Sequence, residues 1–374
     1  MRAGQTTLRQ HSGVTLVELM IALAIGMVLL GALTIMFMNQ SKVRSELDKA
    51  NRMTDNGRYA IELLAESLRL AGYYAEFDPT MLVVPATLPD PCSTLTSAIE
   101  AALPLPVQNY NASSATATIA SPPSCLLASM IKPGSDILVI RRVDTRPVLQ
   151  ANAVLHTRYL QTSLCQFDIV RYKLSRTPSD FTLRQKDCTE SSGSPYADVH
   201  QMLVQIYFIS PYNRPGDGIP TLKRLDLVPN GWSLPAGTLL LNGTVSSADA
   251  VTTGPSFVLT PLVEGIEYLQ ISFGLDTDTL DGKGLADSYS DAPQCPPTIT
   301  AGEDCSAMAS IVEAKIYLLA RNTEPTAGYI DTRDYDLGSA GTVGPFSGSD
   351  ATYKRQVYSQ FVRVMNVVGR RELQ

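Results

Sequence analysis

Residues 14–38, VTLVELMIALAIGMVLLGALTIMFM, contain a single charged side chain, Glu18. A helix of these 25 residues, rising about 1.5 Å per residue, spans the ~30 Å hydrocarbon core of a bilayer with some tilt. The 13 residues before it carry Arg2 and Arg9 and no acid. By the positive-inside rule that leaves the N-terminus in the cytoplasm and exports the remainder. A secretory signal would end its apolar core at a small-residue cleavage site, but Met38 is followed by Asn-Gln-Ser-Lys. A plain anchor would not place a carboxylate one turn into the bilayer, where an ionised group is costly and usually functional.

The residues around Glu18 give that carboxylate a use. Cleavage after Gly13 would create a new α-amino group on Val14, one helical turn from Glu18. In a bundle of such helices the Val14 ammonium of one chain can meet the Glu18 carboxylate of a neighbour. Each charge is intolerable alone in a dry core and tolerable as a pair. The glutamate then reads as a register device for assembly.

The stretch SGVTLVELMIALAIGM resembles the class III signal of type IV pilins and of type II secretion pseudopilins. In that family a prepilin peptidase cuts after the glycine and N-methylates the next residue, and a glutamate at mature position five is the hallmark. The resemblance implies Gly13 as the residue before the cut, Val14 as the methylated residue and Glu18 as the hallmark carboxylate. Val14 departs from the usual Phe, and the leader of 13 residues is longer than the shortest in the family.

Beyond the apolar run, Val43, Leu47, Ala50, Thr54, Gly57, Ile61, Leu64, Leu68 and Ala71 fall at alternating spacings of four and three. This seam predicts that the helix continues from about 15 to 71, roughly 85 Å of helix. Asn56-Gly57 is expected to weaken it, because Gly costs about 1 kcal/mol relative to Ala in a helix interior. Gly72 is a candidate C-cap. NGRYAIELLAESLRLAGYY (56–74) is similar to the stretch that follows the membrane segment in PilW-type minor pilins. IVEAKIYLLARNTEP and YKRQVYSQFVRVMN resemble that family's closing strands, with Met365-Asn366 where the family has Arg-Asn.

From residue 80 onward the pattern is strand and loop. Candidate strands are 136–143, 166–174, 181–185, 202–209, 222–228, 238–241, 266–274, 311–319 and 356–368, with the longest loops at 85–135 and 275–308. The expected fold is α+β: a long N-terminal helix packed on a large, mainly antiparallel sheet domain. The expected divisions are a leader at 1–13, a membrane or filament-core helix at 14–38, a periplasmic helical half at 39–72 and a disulfide-bonded head at 73–374. All six cysteines lie between 92 and 305, with no CxxC and no Cys/His cluster. In an exported chain an even count reads as disulfides. Six cysteines allow 15 connectivities; chain-neighbour pairing (Cys92–Cys125, Cys165–Cys188, Cys295–Cys305) is expected because each pair brackets a local excursion.

Catalytic chemistry has little material. The chain carries three histidines, His11, His156 and His200, and no GxSxG, P-loop, GxGxxG or HExxH. With 30 basic and 36 acidic residues, net charge −6, nucleic-acid binding by bulk charge is disfavoured. One loop has a metal-like pattern. Asp276, Asp278, Asp281 and Asp287 resemble parts of a calcium loop, although Leu280 and Gly282 break the standard spacing. The other reading is a solvated acidic turn. PilW-like chains often carry such an Asp-rich stretch after this strand.

The resemblance implies a non-catalytic minor pilin of a Gram-negative type IV pilus. Its expected partners are prepilin peptidase, the inner-membrane assembly platform, membrane lipid, the major pilin, other minor pilins and a tip adhesin. It would reside in the inner membrane with a periplasmic head and then move to the pilus tip. The mature chain of 374 − 13 = 361 residues is bulky for a packed shaft and easier to place at a tip. The alternative is a GspJ-like pseudopilin of a type II secretion system.

Overall fold

The computed structural model describes residue 13, residues 15–189, 196–227, 239–241 (main chain), 257–277, 284–296, 302–338 and 341–371. The chain divides into two units, Met1–Asn51 and Arg52–Gln374. Helix α1 (Leu16–Leu70) supplies the described elements of the first and the opening element of the second.

In the second unit α1 is amphipathic. Met53, Gly57, Ala60, Ile61, Leu64, Ala65 and Leu68 are buried, a stripe at spacings of one, three and four that faces a core. The expected seam coincides with it at Gly57, Ile61, Leu64 and Leu68. The helix is unbroken at Asn56-Gly57, where local weakening was expected. Gly57 is where the Tyr358 ring lies against the helix: a Cβ there would fall 2.6 Å from Tyr358 Cζ and 2.7 Å from Cδ2. Asn56 Nδ2 donates to the Glu264 carbonyl at 3.0 Å.

The head contains α2 (Thr96–Ala101), α3 (Ser306–Ala309) and α4 (Met365–Arg371). Strands β1 (Val107–Tyr110), β2 (Ile137–Val143), β3 (Tyr159–Thr162), β4 (Tyr172–Ser175), β5 (Val199–Ser210), β6 (Thr221–Leu227), β7 (Leu239–Leu241) and β8 (Phe257–Glu264) form an eight-stranded sheet. Its path is β1-β2-β5-β6-β8-β7, with the β3–β4 hairpin attached through β3 to the start of β5. Strands β9 (Ile266–Leu275), β10 (Ser288–Ser290), β11 (Ile311–Arg321) and, after the short β12 (Tyr335–Asp336) and β13 (Thr342–Val343), β14 (Arg355–Arg363) complete the set. The second sheet runs β10-β9-β11-β14, and among the described residues β12 pairs only with β13. Every pairing between these strands is antiparallel.

Two cores sit on either face of the larger sheet. Leu138, Ile140, Tyr207 and Ile209 face a core shared with α1 and the second sheet. Ile137, Val139, Val204, Ile206 and Phe208 face the other, which residues 74–131 cover with Tyr74, Phe77, Leu103 and Met130. Burial on both faces explains why β2 opens with the unbroken apolar run Ile137–Ile140. Asp136 joins the sheets. Its Oδ1 accepts from the Ala112 N–H at 2.9 Å, and its Oδ2 accepts from the Ile271 N–H in β9 at 3.0 Å. Burial pushes this carboxyl up to about 8.

The structure corrects several expected strands. Residues 163–171 form a loop tied by a disulfide, so the ladder begins only at Tyr172 rather than at 166. Residues 181–185 form no strand; the Leu183 N–H donates to the Gln161 side chain and the Leu183 carbonyl accepts from Ala197, so no ladder develops. The last strand ends at Arg363 rather than 368. The following α4 closes the end of α1: Asn366 Nδ2 donates to the Arg69 and Ala71 carbonyls at 3.2 and 3.1 Å, and Arg370 donates to the Gly72 carbonyl. These are carbonyls that a helix terminus otherwise leaves unpaired. Gly72 itself has φ +73° and donates its N–H to the Arg141 carbonyl at 2.9 Å. Strands β1, β3 and β8 and the short β10, β12 and β13 were not expected. In β8, Pro261 cannot donate, and the β6–β8 register shifts between Leu222 and Lys223, opposite it.

Candidate functional site

The start of α1 is the first candidate. Side chains 16–38 are exposed, with Gly26 the only half-exposed position. Phe37 is 73% exposed and Leu16 75%. A helix apolar on every side is suited to a membrane or to burial in an apolar core, and this one is long and apolar enough to cross a bilayer. Thr34 Oγ1 donates to the Leu30 carbonyl at 2.8 Å, which satisfies the one hydroxyl in its middle.

Glu18 does local work here. Its Oε2 accepts from the Thr15 N–H at 2.9 Å and from Thr15 Oγ1 at 3.0 Å, while the Glu18 N–H donates to Thr15 Oγ1 at 3.3 Å. Thr15-Leu-Val-Glu18 is therefore a capping box, with Thr15 as N-cap and Glu18 at the third helical position. The reciprocal bonds satisfy N–H groups that the helix start would otherwise expose. The Thr-x-x-Glu spacing was visible in the sequence and was missed. Gly13 lies in open space. Val14 lies outside the described residues.

The calcium pattern is only partly described, since Asp278 and Asp281 lie outside the described residues. Asp276 is buried, its Oδ2 lies 3.3 Å from Arg371 Nη1, and its carbonyl accepts from the same guanidinium at 2.6 Å. Asp287 Oδ2 accepts from the Thr277 N–H at 2.8 Å. Asp276 thus ties the end of β9 to α4, and Asp287 holds the Thr277 backbone. Among the described residues no cluster of three or more His, Cys, Asp or Glu is arranged to hold a metal.

The six cysteines pair as Cys92–Cys125, Cys165–Cys188 and Cys295–Cys305. His200 is buried with Nδ1 2.9 Å from the Asp144 carbonyl, a satisfied core position.

Sequence reasoning also missed a buried charge network at one end of the second sheet. Arg321 and Arg355 are directly opposed on β11 and β14, an arrangement that repels on its own. Glu267 of β9 lies between them. Arg355 Nε donates to Glu267 Oε2 at 2.6 Å, Arg321 Nη1 lies 3.5 Å from Oε1, and Lys132 Nζ lies 3.8 Å from Oε1. Asp331, fully buried, adds a second anion 3.4 Å from Arg355 Nη1 and accepts from Tyr335 Oη at 2.8 Å. Burial works against the Arg355 charge, but the hydrogen bond and charge of Glu267, together with the charges of Asp350 and Asp331, outweigh it and hold the guanidinium above its usual range. The network fastens Asp331 and the start of β14 to the sheet end. Its sequence signal was charge inside otherwise apolar strands.

The N-terminal methylation motif and the helix laid on antiparallel sheets define a pilin-like class of protein. Residues 8–34 match the prokaryotic N-terminal methylation motif. Residues 214–366, from just before β6 to the start of α4, match the family of the type IV pilus-assembly protein W. Over residues 214–366 the chain is similar to PilW-type pilus-assembly proteins, and it carries the N-terminal methylation (class III signal) motif. No curated protein and no solved structure matches it.

Proposed function

We propose that the chain is a non-catalytic minor pilin that primes type IV pilus assembly and joins the tip complex. Residues 1–13 are a leader removed by prepilin peptidase between Gly13 and Val14, and the Val14 amine is then methylated. Residues 14–38 anchor the precursor in the inner membrane, N-terminus in the cytoplasm, and later enter the filament core. Residues 39–72 carry the helix into the periplasm, where residues 73–374 form the head. Glu18 neutralises a Val14 ammonium among packed helices. The partners are the major pilin, other minor pilins, the assembly platform and a tip adhesin.

The observation that carries this reading is one chain joining an apolar, all-round exposed helix with a single capped carboxylate to a PilW-type head. The test is a deletion strain scored for both surface systems. Loss of twitching and of sheared surface pili, with exoprotein secretion intact, is expected. Lost secretion with normal twitching would overturn the reading in favour of a type II secretion pseudopilin. Intact mass of the membrane-extracted chain should lack the first 13 residues.

A further inference from the structure

The β3–β4 hairpin ends in an apolar tip that the pilin reading leaves unused. In the loop 163–171, Leu164, Phe167, Ile169 and Val170 are 41, 73, 97 and 56% exposed. The tip is held in place rather than left to fold back. The Ser163 N–H donates to the Arg171 carbonyl at 2.8 Å, the Leu164 N–H to Arg184 at 3.1 Å, and the Asp168 N–H to Cys165 at 3.2 Å. The Cys165–Cys188 disulfide staples the base. Tyr172, at the start of β4, stacks on Phe77 with ring centroids 4.3 Å apart. An exposed apolar cluster fixed by this much local bonding marks an interaction surface, and pre-organisation reduces the ordering cost of docking.

Charge identifies the kind of surface. Residues 164–189 contain five basic and three acidic side chains, in a chain with 30 basic and 36 acidic overall. Arg171, Lys173 and Lys186 are exposed around the tip. The acid inside the tip is neutralised locally: Asp168 accepts from Arg184 Nε at 2.8 Å and from Ser163 Oγ at 2.5 Å. Glu100, beside the hairpin, accepts from Tyr172 Oη at 2.6 Å. A stable protein–protein interface engages roughly 20–30 residues a side, far more than a projecting tip of four apolar residues presents. A fluid bilayer needs no complementary shape. It accepts apolar side chains among its acyl chains, while basic side chains extend to anionic headgroups.

We infer that the 163–171 tip, with its collar of Arg171, Lys173 and Lys186, docks the head onto an anionic phospholipid bilayer. The anchoring of α1 enters only as a tether that keeps a bilayer within reach; the chemistry of the tip does not depend on the pilus assignment. Docking would hold the head against the membrane before assembly, and extraction into a filament would release it.

The test uses the full mature chain in lipid nanodiscs with Phe167→Trp as reporter. The chain's single native tryptophan, Trp232, makes the unsubstituted protein the blank. In discs of phosphatidylcholine with phosphatidylglycerol, Trp emission should shift to the blue and be quenched by brominated acyl chains beyond the blank. High salt should reverse this. Each basic residue near an anionic surface is worth about fivefold, so charge reversal at Arg171 and Lys173 together should weaken docking about 25-fold or more. Ile169→Asp, at a position exposed in the fold, should also abolish the quenching, with peptide mapping of Cys165–Cys188 as the check that the loop is intact. Quenching no greater than the blank in the anionic discs overturns the inference. So does shielding of the reporter only when other pilins are added, which would assign the tip to a protein interface. Neither result touches leader cleavage or twitching, which test the pilus reading separately.

Discussion

Gly57→Ala is the sharpest probe of how α1 meets the second sheet. In an ordinary helix interior this change stabilises by about 1 kcal/mol, because glycine loses more backbone entropy and lacks a methyl group. Here the added Cβ would meet Tyr358 of β14, 2.6 Å from Cζ and 2.7 Å from Cδ2. Carbon atoms pack best near 3.5–4.0 Å, so the ring must retreat by on the order of 1 Å. Tyr358 packs against the shared core, and over-packing of this kind costs about 1–3 kcal/mol. Set against the helix gain, the net expectation is a loss of about 1 kcal/mol, lowering the melting temperature by a few degrees. The double-mutant cycle removes the ambiguity. In a Tyr358→Ala background the obstacle is gone, and Gly57→Ala should stabilise by about 1 kcal/mol as in any helix. Thermal unfolding of the four proteins in detergent, followed by circular dichroism, reads the cycle. If Gly57→Ala stabilises the parent as much as it stabilises the Tyr358→Ala variant, the contact does not explain the glycine.

Three further outcomes follow from particular side chains. Glu18→Ala and Glu18→Gln should both be inserted and cleaved yet be depleted from sheared pili; because Gln keeps an acceptor for the Thr15 bonds, wild-type incorporation of the Gln variant would reduce Glu18 to a helix cap. Glu267→Gln leaves Arg355 and Arg321 buried against a neutral group, and urea unfolding should register a loss of about 3–5 kcal/mol, whereas a Glu267→Met/Arg355→Met pair should lose less. Asp136 has its carboxyl raised to about 8 by burial, against an unfolded value near 3.9. The stability it provides is full below the unfolded value and lost as pH rises through the folded one, so stability should fall between about pH 4 and pH 8 in the parent relative to Asp136→Asn; parallel slopes for the two proteins would refute this.

The long helix, the N-terminal methylation motif and the α+β plan were legible in the sequence because each rests on local pattern. An apolar run of 25 residues has one solution whatever surrounds it. The seam at Ile61, Leu64 and Leu68 is set by helical periodicity, and Gly72 ends α1 through a backbone conformation that only glycine adopts without strain. Tertiary structure decided what depends on residues far apart in the chain. Gly57 looked like a flaw in the helix until Tyr358, some 300 residues away, was seen lying against it. The apolar run after Met365 looked like more strand, but Asn366 and Arg370 are needed at the open end of α1, and only a helical turn presents both there. Segment 166–171 looked like strand as well, but it is an exposed loop that follows the Cys165–Cys188 disulfide. The buried meeting of Arg321, Arg355 and Glu267 exists only because three strands end side by side. Local sequence fixes which groups want to be buried or capped; the partner that satisfies them is chosen by the packing of distant segments, and a periodicity read along one strand of chain carries no information about it.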